Sequence, residues 1–450
     1  MQQKTPTCDS ISHISRSFQN YIELKEHTFI GISYYYVKES IMNQELLRKY
    51  ARTLLQSGVN LQEKQTLIVS VDVDNKDFAV IVTEEAYQLG AKEVIINWRH
   101  TPITRQRLLH ADASVLETPA KWIPVYYEQY VEEKAAFLSL ISANPKALAG
   151  IPTERISLNS RNLNKVLSFY HTAIMNSSVT WCVAAVPTVL WAELLGYEGS
   201  DEEKLNQLWL TLLKLCRLND VEAKETYAHH MAKLRHRREA LNALDLKALR
   251  YTCENGTDLL LELPEDHIWQ GGEEFSKEGI KFNANIPTEE VFCAPQWNGV
   301  NGKVVSTKPL IYQGNPISNF SFTFENGKIV DYTAEEGLDI LKELIETDEG
   351  SQYLGEVALV DHYSPISQSN RIYYETLFDE NASCHLAIGA AYPTCLKNSD
   401  GLSEDELKER GLNHSLAHVD FMIGHENMNI KGITKDGQQV DIMIDGRLLV

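Results

Sequence analysis

Residues 66–98 read TLIVSVDVDNKDFAVIVTEEAYQLGAKEVIINW. Leu67 to Val71 is a short apolar run rich in β-branched residues, which reads as a buried strand. Lys76 to Leu89 carries a helical period and stops at Gly90, a residue suited to the left-handed position that closes a helix. Val94 to Trp98 is a second apolar strand. Strand, helix, strand is a βαβ unit, and it requires the two strands to run parallel.

Working outward, the alternation continues. Helical patterns cover 103–110 and 122–134. A strand is expected at Ala136 to Ile141, a helix around 160–175, and a strand near Thr180 to Ala185. This predicts an open α/β layer with a largely parallel sheet. Upstream, Met42 opens an amphipathic helix with Leu46, Leu47, Tyr50, Leu54 and Leu55 on one face. Residues 1–41 are irregular and form an N-terminal extension. Two readings of it stay open: a genuine tail, or an alternative extension ahead of a start at Met42.

Residues 201–243 are helical and highly charged, and read as a solvated linker between two domains. From about 246 the texture changes. Leu249 to Cys253 and Asp258 to Leu263 flank Glu254-Asn255-Gly256, and Phe320 to Phe324 and Lys328 to Tyr332 flank Asn326-Gly327, both hairpin signals. Helices are expected at Ala334 to Glu346, from about Asn381, and at 403–410. The expected organisation is an extension (1–41), an α/β domain with a helical linker (42–245), and an α+β C-terminal catalytic domain (246–450).

Bulk properties narrow the function. The chain has 450 residues and a formal net charge of −20, so nucleic acid is not an expected partner. Its densest basic patch, His236 to Arg238, reads as a helix face. Seven cysteines without a C-x-x-C suggest a reducing compartment. No apolar run reaches membrane-spanning length and no secretory signal is visible, so a soluble, cytoplasmic protein is expected. There is no G-x-G-x-x-G after a strand, no phosphate-binding loop, no H-E-x-x-H and no G-x-S-x-G. Cys293 and Cys384 sit among apolar residues, where thiols are inert.

What remains is a set of acids and histidines interrupting apolar segments of the C-terminal half. His418 and Asp420 are two apart on a plausible strand, so they share a face. His385 follows Asn381, a fair helix cap, in a small-residue stretch that reads as a buried helix; Tyr392 would lie two turns further along it. Glu289 and Glu290 are adjacent, so on an extended segment only one can enter a shared site. The other would be solvent-exposed or would support the site from behind. Glu356 sits at the mouth of an apolar strand and needs a cation or a donor if buried. Carboxylates and imidazoles are the ligands of hard and borderline divalent cations.

At these residues the chain resembles the thermophilic aminopeptidase family, which includes aminopeptidase T, aminopeptidase S and PepS. The stretches that carry the resemblance are NANIPTEEVFCAP (283–295), GEVALVD (355–361), SPISQSNRIYYETLFDENASCHLAIGAAYP (364–393), LNHSLAHVDFMIG (412–424) and NIKGITKDGQQVDIMIDG (429–446). VTEEAYQLGAKEVIINWR and NGTDLLLELP in the earlier part fit too. The similarity spans about 42–450; the extension has no counterpart, and Asn370 stands where the family pattern has Gly. The resemblance implies metal-dependent release of N-terminal residues from peptides. Carried over by motif, the metal ligands are Glu290, Glu356, His385, His418 and Asp420. Tyr392 becomes a further active-site group, a ligand or a hydrogen-bond donor. Five ligands suit two divalent ions (Zn, Co or Mn) about 3.5–4 Å apart that activate a water, with Glu356 as the candidate bridge. The general base stays unassigned, with Glu289 one option. The family also implies a homodimer. Two other readings are an inactive peptide-binding or scaffold homologue and a dipeptidase on the same metals.

Overall fold

A computed structural model describes residues 44–218, 226–312 and 315–450, and residues 44–450 form one compact unit. The 1–41 extension and the Met42 question lie outside the described residues.

The βαβ reading holds. β1 (Thr66–Asp72) pairs in parallel with β2 (Glu93–Arg99) in the register Thr66↔Glu93 to Asp72↔Arg99. β1 also pairs with β3 (Ala136–Ile141), which pairs with β4 (Trp181–Ala185), all parallel. The short strand Asn285–Ile286 adds to β4 and completes the order β2-β1-β3-β4-(285–286). Helix α1 (Gln44–Thr53) delivers Tyr50, and α2 (Lys76–Gln88) delivers Phe78; the rings stack with centroids 5.7 Å apart. Gly90 takes φ +91° just past α2, as its sequence position suggested. Helix α3 (Thr101–His110) follows β2, and a helix spans Trp122–Glu132. The single helix expected at 160–175 is two, Thr153–Val166 and Ser168–Met175.

The later half is built on two antiparallel sheets. Eight strands run in the spatial order 328–333, 321–325, 300–305, 258–262, 246–252, 429–434, 439–444 and 447–448. Both expected hairpins are present. At the tighter one Asn326 and Gly327 take φ +49° and +82°. That pair of positive values is what a two-residue turn between twisted strands demands. A Cβ on Gly327 would also meet Trp297 O at 1.9 Å.

The second sheet has the order β5 (Glu290–Cys293), β6 (Leu354–Val360), β7 (His385–Gly389) and β8 (His418–Met422). Its inner face carries Val291, Val357, Leu359, Leu386, Ile388 and Phe421 into one core with Leu249, Tyr251, Leu261 and Ile430 of the larger sheet. Side chains alternate along a strand. The residues between these, Glu290, Glu356, His385, His418 and Asp420, therefore share the opposite face.

Two expectations are corrected here. His385 lies on a strand, not on a helix. The chain turns through Thr376–Asp379 and a 3₁₀ turn at Glu380–Ala382, then enters β7. A short run of small and apolar residues has no period that separates a buried helix from a strand with neighbours on both sides. Tyr392 thus reaches the site from just beyond a strand, at the start of the 3₁₀ turn Pro393–Cys395.

The second correction concerns 201–243. Helix α4 (Asp201–Leu215) buries Leu208, Trp209, Leu212, Leu213 and Leu215, and α5 (Tyr227–Ala243) buries His230, Met231, Leu234, Arg237 and Leu241. These helices are packed, not solvated, because each turns a face carrying apolar side chains into the fold beside its charges. Within the basic patch, Arg237 is buried and donates to Asp361 at 2.8 Å. The helix expected at Ala334 to Glu346 is shorter, Leu338–Ile345. Among the described residues no helix is long and apolar enough to cross a membrane, and the six described cysteines are free thiols.

Candidate active site

Pairing across the four-stranded sheet sets the geometry. Glu356 faces Ala387, which faces Asp420; Ala358 faces His385. His418 pairs with Gly389, at the end of β7. The five side chains therefore converge on one patch of a buried sheet face. His385 Nε2 is 3.1 Å from Glu290 Oε2 and 3.6 Å from Glu356 Oε1. His418 Nε2 is 3.5 Å from Glu356 Oε2 and 3.6 Å from Asp420 Oδ1. The groups form two triads, Glu290–Glu356–His385 and Glu356–His418–Asp420, which share Glu356. All are buried or nearly so; His418 is the most open, with a quarter of its side chain accessible.

These residues suit divalent cations. The other nitrogen of each imidazole faces a backbone carbonyl: His385 Nδ1 lies 3.1 Å from Ser383 O, and His418 Nδ1 lies 2.7 Å from Ala390 O. An Nδ1–H donated there leaves Nε2 with its lone pair toward the carboxylates, the orientation that metal-ligating histidines take. Glu290 Oε2 is buried beside His385 and makes no hydrogen bond. Lone pairs that face each other at 3.1–3.6 Å repel unless something positive lies between them.

The electrostatics agree. Burial opposes charge on His385, yet the carboxylates of Glu290 and Glu356 outweigh it and lift its pKa well above the ordinary value. His418 is raised in the same balance, by Asp420 and then Glu356. Burial also pushes the Glu356 carboxyl up. A metal would displace the protons that such a cluster gathers.

Tyr392 packs edge-on against His418, with ring centroids 5.0 Å apart, and lines the same cavity of about 600 Å³. Burial first, then the carboxylates, raise its pKa well above the ordinary value. Its hydroxyl stays a donor.

The adjacent acids separate as strand geometry requires. Glu290 enters the site, and of the two places open to Glu289 it takes the one behind the site rather than an exposed one. It is buried, and Arg217 grips both its oxygens at 2.6 and 3.0 Å, with His230 Nε2 3.7 Å away. A carboxylate held this way is not available as a general base. Its backbone is fixed too, since Glu289 N–H donates to Asn381 Oδ1 at 2.7 Å. Asn381 is thus a clamp on the strand that bears Glu290, and not a helix cap.

One group was missed from the sequence. Glu380, in the 3₁₀ turn before β7, lines the cavity beside the ligand cluster. Burial pushes its carboxyl well up, and the charges of Asp420 and Glu290 push the same way. A carboxyl at the edge of this cluster is a candidate acid–base group. The available signal was its place five residues before His385, within DENASCH.

Comparison with known proteins fits this picture. A sequence profile of the thermophilic metalloprotease family, M29, matches residues 43–448. The chain is 44% identical over 400 residues to aminopeptidase AmpS of Bacillus subtilis, covering 89% of this chain and 97% of that protein. It is 41% identical over 404 residues to aminopeptidase PepS of Streptococcus thermophilus, covering 90% and 98%. The solved structure of wild-type AmpT from Thermus thermophilus superposes with a TM-score of 0.83 at 32% identity, covering 90% of this chain and all of that one. The chain belongs to the thermophilic metalloprotease family M29 and is a hydrolase of the peptidase class.

Proposed function

We propose that the protein is an aminopeptidase that uses two divalent cations to remove N-terminal residues from peptides. The observation that carries this reading is the placement of Glu356, whose two oxygens face different imidazoles, at 3.6 and 3.5 Å. A carboxylate so placed suits the shared ligand of two ions. Glu290 and His385 would complete one ion's protein ligands, His418 and Asp420 the other's. Zinc, cobalt or manganese held there would supply Lewis acidity, acidifying water and polarising the scissile carbonyl.

The chain's own groups do the rest. Glu380 takes the proton that water gives up as its oxygen bonds to the carbonyl carbon. Glu380 returns that proton to the departing amine as the C–N bond breaks. Tyr392 Oη–H donates to the oxyanion. The Ser383 and Ala390 carbonyls hold the two imidazole tautomers, and Arg217, Glu289 and Asn381 hold the strand bearing Glu290. On this reading residues 42–245 frame the site and 246–450 carry it. We place the enzyme in the cytoplasm, which the free cysteines support, and take it to act as a homodimer.

The test is hydrolysis of leucine p-nitroanilide and of its N-acetylated form. The reading expects cleavage of the first only, lost with chelator and restored by Zn²⁺, Co²⁺ or Mn²⁺. Equal cleavage of the blocked substrate would contradict an aminopeptidase. Longer peptides should be cut as well as dipeptides; cleavage restricted to dipeptides would favour a dipeptidase, and no cleavage at all a scaffold.

A further inference from the structure

The parallel sheet holds a second crevice, apart from the metal cluster. β1 and β3 are neighbours, and the chain runs on from β1 toward β2 and from β3 toward β4, so it leaves their carboxyl ends toward opposite sides of the sheet. Crevices at such points are the usual ligand sites of open α/β sheets. Here the crevice has a volume of about 580 Å³, and its walls are the segments that follow β1 to β4, closed by Glu375 from the later half.

Its charges are arranged rather than scattered. Arg99 lines the crevice, donating to Ser70 O at 3.2 Å and to Leu140 O. It thus ties the ends of β1 and β3 together beside Asp72. Arg105, in the first turns of α3, donates to Ala147 O at 2.7 Å, on the segment that carries Lys146. Asp72 and Asp74 flank the end of β1. Lys146 and Asp74 make no ion pair among the described residues, although they line one cavity with charges of both signs. Glu375 is largely buried, and burial pushes its carboxyl up to about 7. Unmatched positive and negative groups in one concave site fit a small ligand carrying both charges.

We propose that this crevice is a second binding site, for a free α-amino acid. Its carboxylate lies against Arg105 and Lys146 and its ammonium against Asp72 and Asp74. The zwitterion follows from the charges; the choice of an amino acid rests on the aminopeptidase reading, because that reaction releases one.

The test is equilibrium dialysis of the metal-loaded enzyme with radiolabelled L-leucine. Wild type should bind two equivalents per chain, one in the catalytic cavity and one here. Arg105→Ala/Lys146→Ala should bind one, and still hydrolyse leucine p-nitroanilide at the wild-type rate. Asp72→Asn/Asp74→Asn should lose the same equivalent, and it serves if the first variant does not fold. 3-Methylbutylamine and 4-methylpentanoate, each lacking one charge and neither hydrolysable, should compete at this site at least tenfold more weakly than leucine. One equivalent in wild type, two in both variants, or competition by inorganic phosphate as strong as leucine's would overturn the proposal. Failure of wild type to hydrolyse any aminoacyl substrate, with this equivalent still bound, would sink the catalytic reading instead.

Discussion

Arg217 holds both carboxylate oxygens of Glu289, at 2.6 and 3.0 Å, with less than a tenth of either side chain exposed. The pair lies directly behind Glu290, whose backbone neighbour it fixes. A two-pronged guanidinium–carboxylate contact sets direction as well as charge. It turns the acid that faces away from the Glu290–Glu356–His385 triad into a brace for the one that belongs to it.

Breaking a buried ion pair by removing one partner costs about 3–5 kcal/mol. Arg217→Met should therefore lower unfolding stability by that amount in urea titration. Arg217→Lys should recover only part, because an ammonium cannot make the paired contact. The double variant Arg217→Met/Glu289→Leu should lose much less than the two single changes summed. A single Arg217→Met costing under about 1 kcal/mol would remove the brace from the account.

Glu380→Gln should lower kcat by about 10²–10⁴, the usual worth of a positioned acid–base group. Tyr392→Phe should lower it by about 10²–10³, the worth of one oxyanion donor. Both variants should keep their metal content and wild-type melting temperature. Loss of metal in Tyr392→Phe would make Tyr392 a ligand instead.

Asp348 offers a pH test away from the metals. It accepts from Ser351 N–H at 2.8 Å, Ser415 Oγ–H at 2.8 Å and Leu416 N–H at 2.6 Å, so it pins the loop that leads into His418. Burial opposes its charge, but these donors outweigh it and hold the carboxyl below its ordinary value. A group depressed in the folded state stabilises above its unfolded pKa, and that contribution is lost as pH falls through the folded pKa. Thermal melts from neutral to acid pH should show a steeper decline for wild type than for Asp348→Asn. Parallel curves would contradict the pinning role.

Where the sequence was legible, local rules sufficed. The 66–98 unit announced itself through period and a closing glycine, and the Asn326-Gly327 hairpin through the backbone conformation its turn requires. The pairing of His418 with Asp420 on one face followed from strand geometry alone. Three features escaped for physical reasons. His385 sits in a run too short and uniform to show a period. Arg217 and His230 lie 72 and 59 positions from Glu289, so nothing local joins them. Glu380 directly follows Asp379 in sequence, and only the fold brings it into the cavity beside the cluster. The proposed metal set came from family resemblance; the residues alone offered scattered acids and histidines.

The central claim is that Glu356 is shared by two cations. Metal analysis of chelator-stripped protein, titrated with Zn²⁺ while leucine p-nitroanilide hydrolysis is followed, tests it most directly. Wild type should reach full activity at two equivalents per chain, and Glu356→Gln should lose turnover and fail to hold both. Full activity at a single equivalent, or activity that survives complete metal removal, would contradict it.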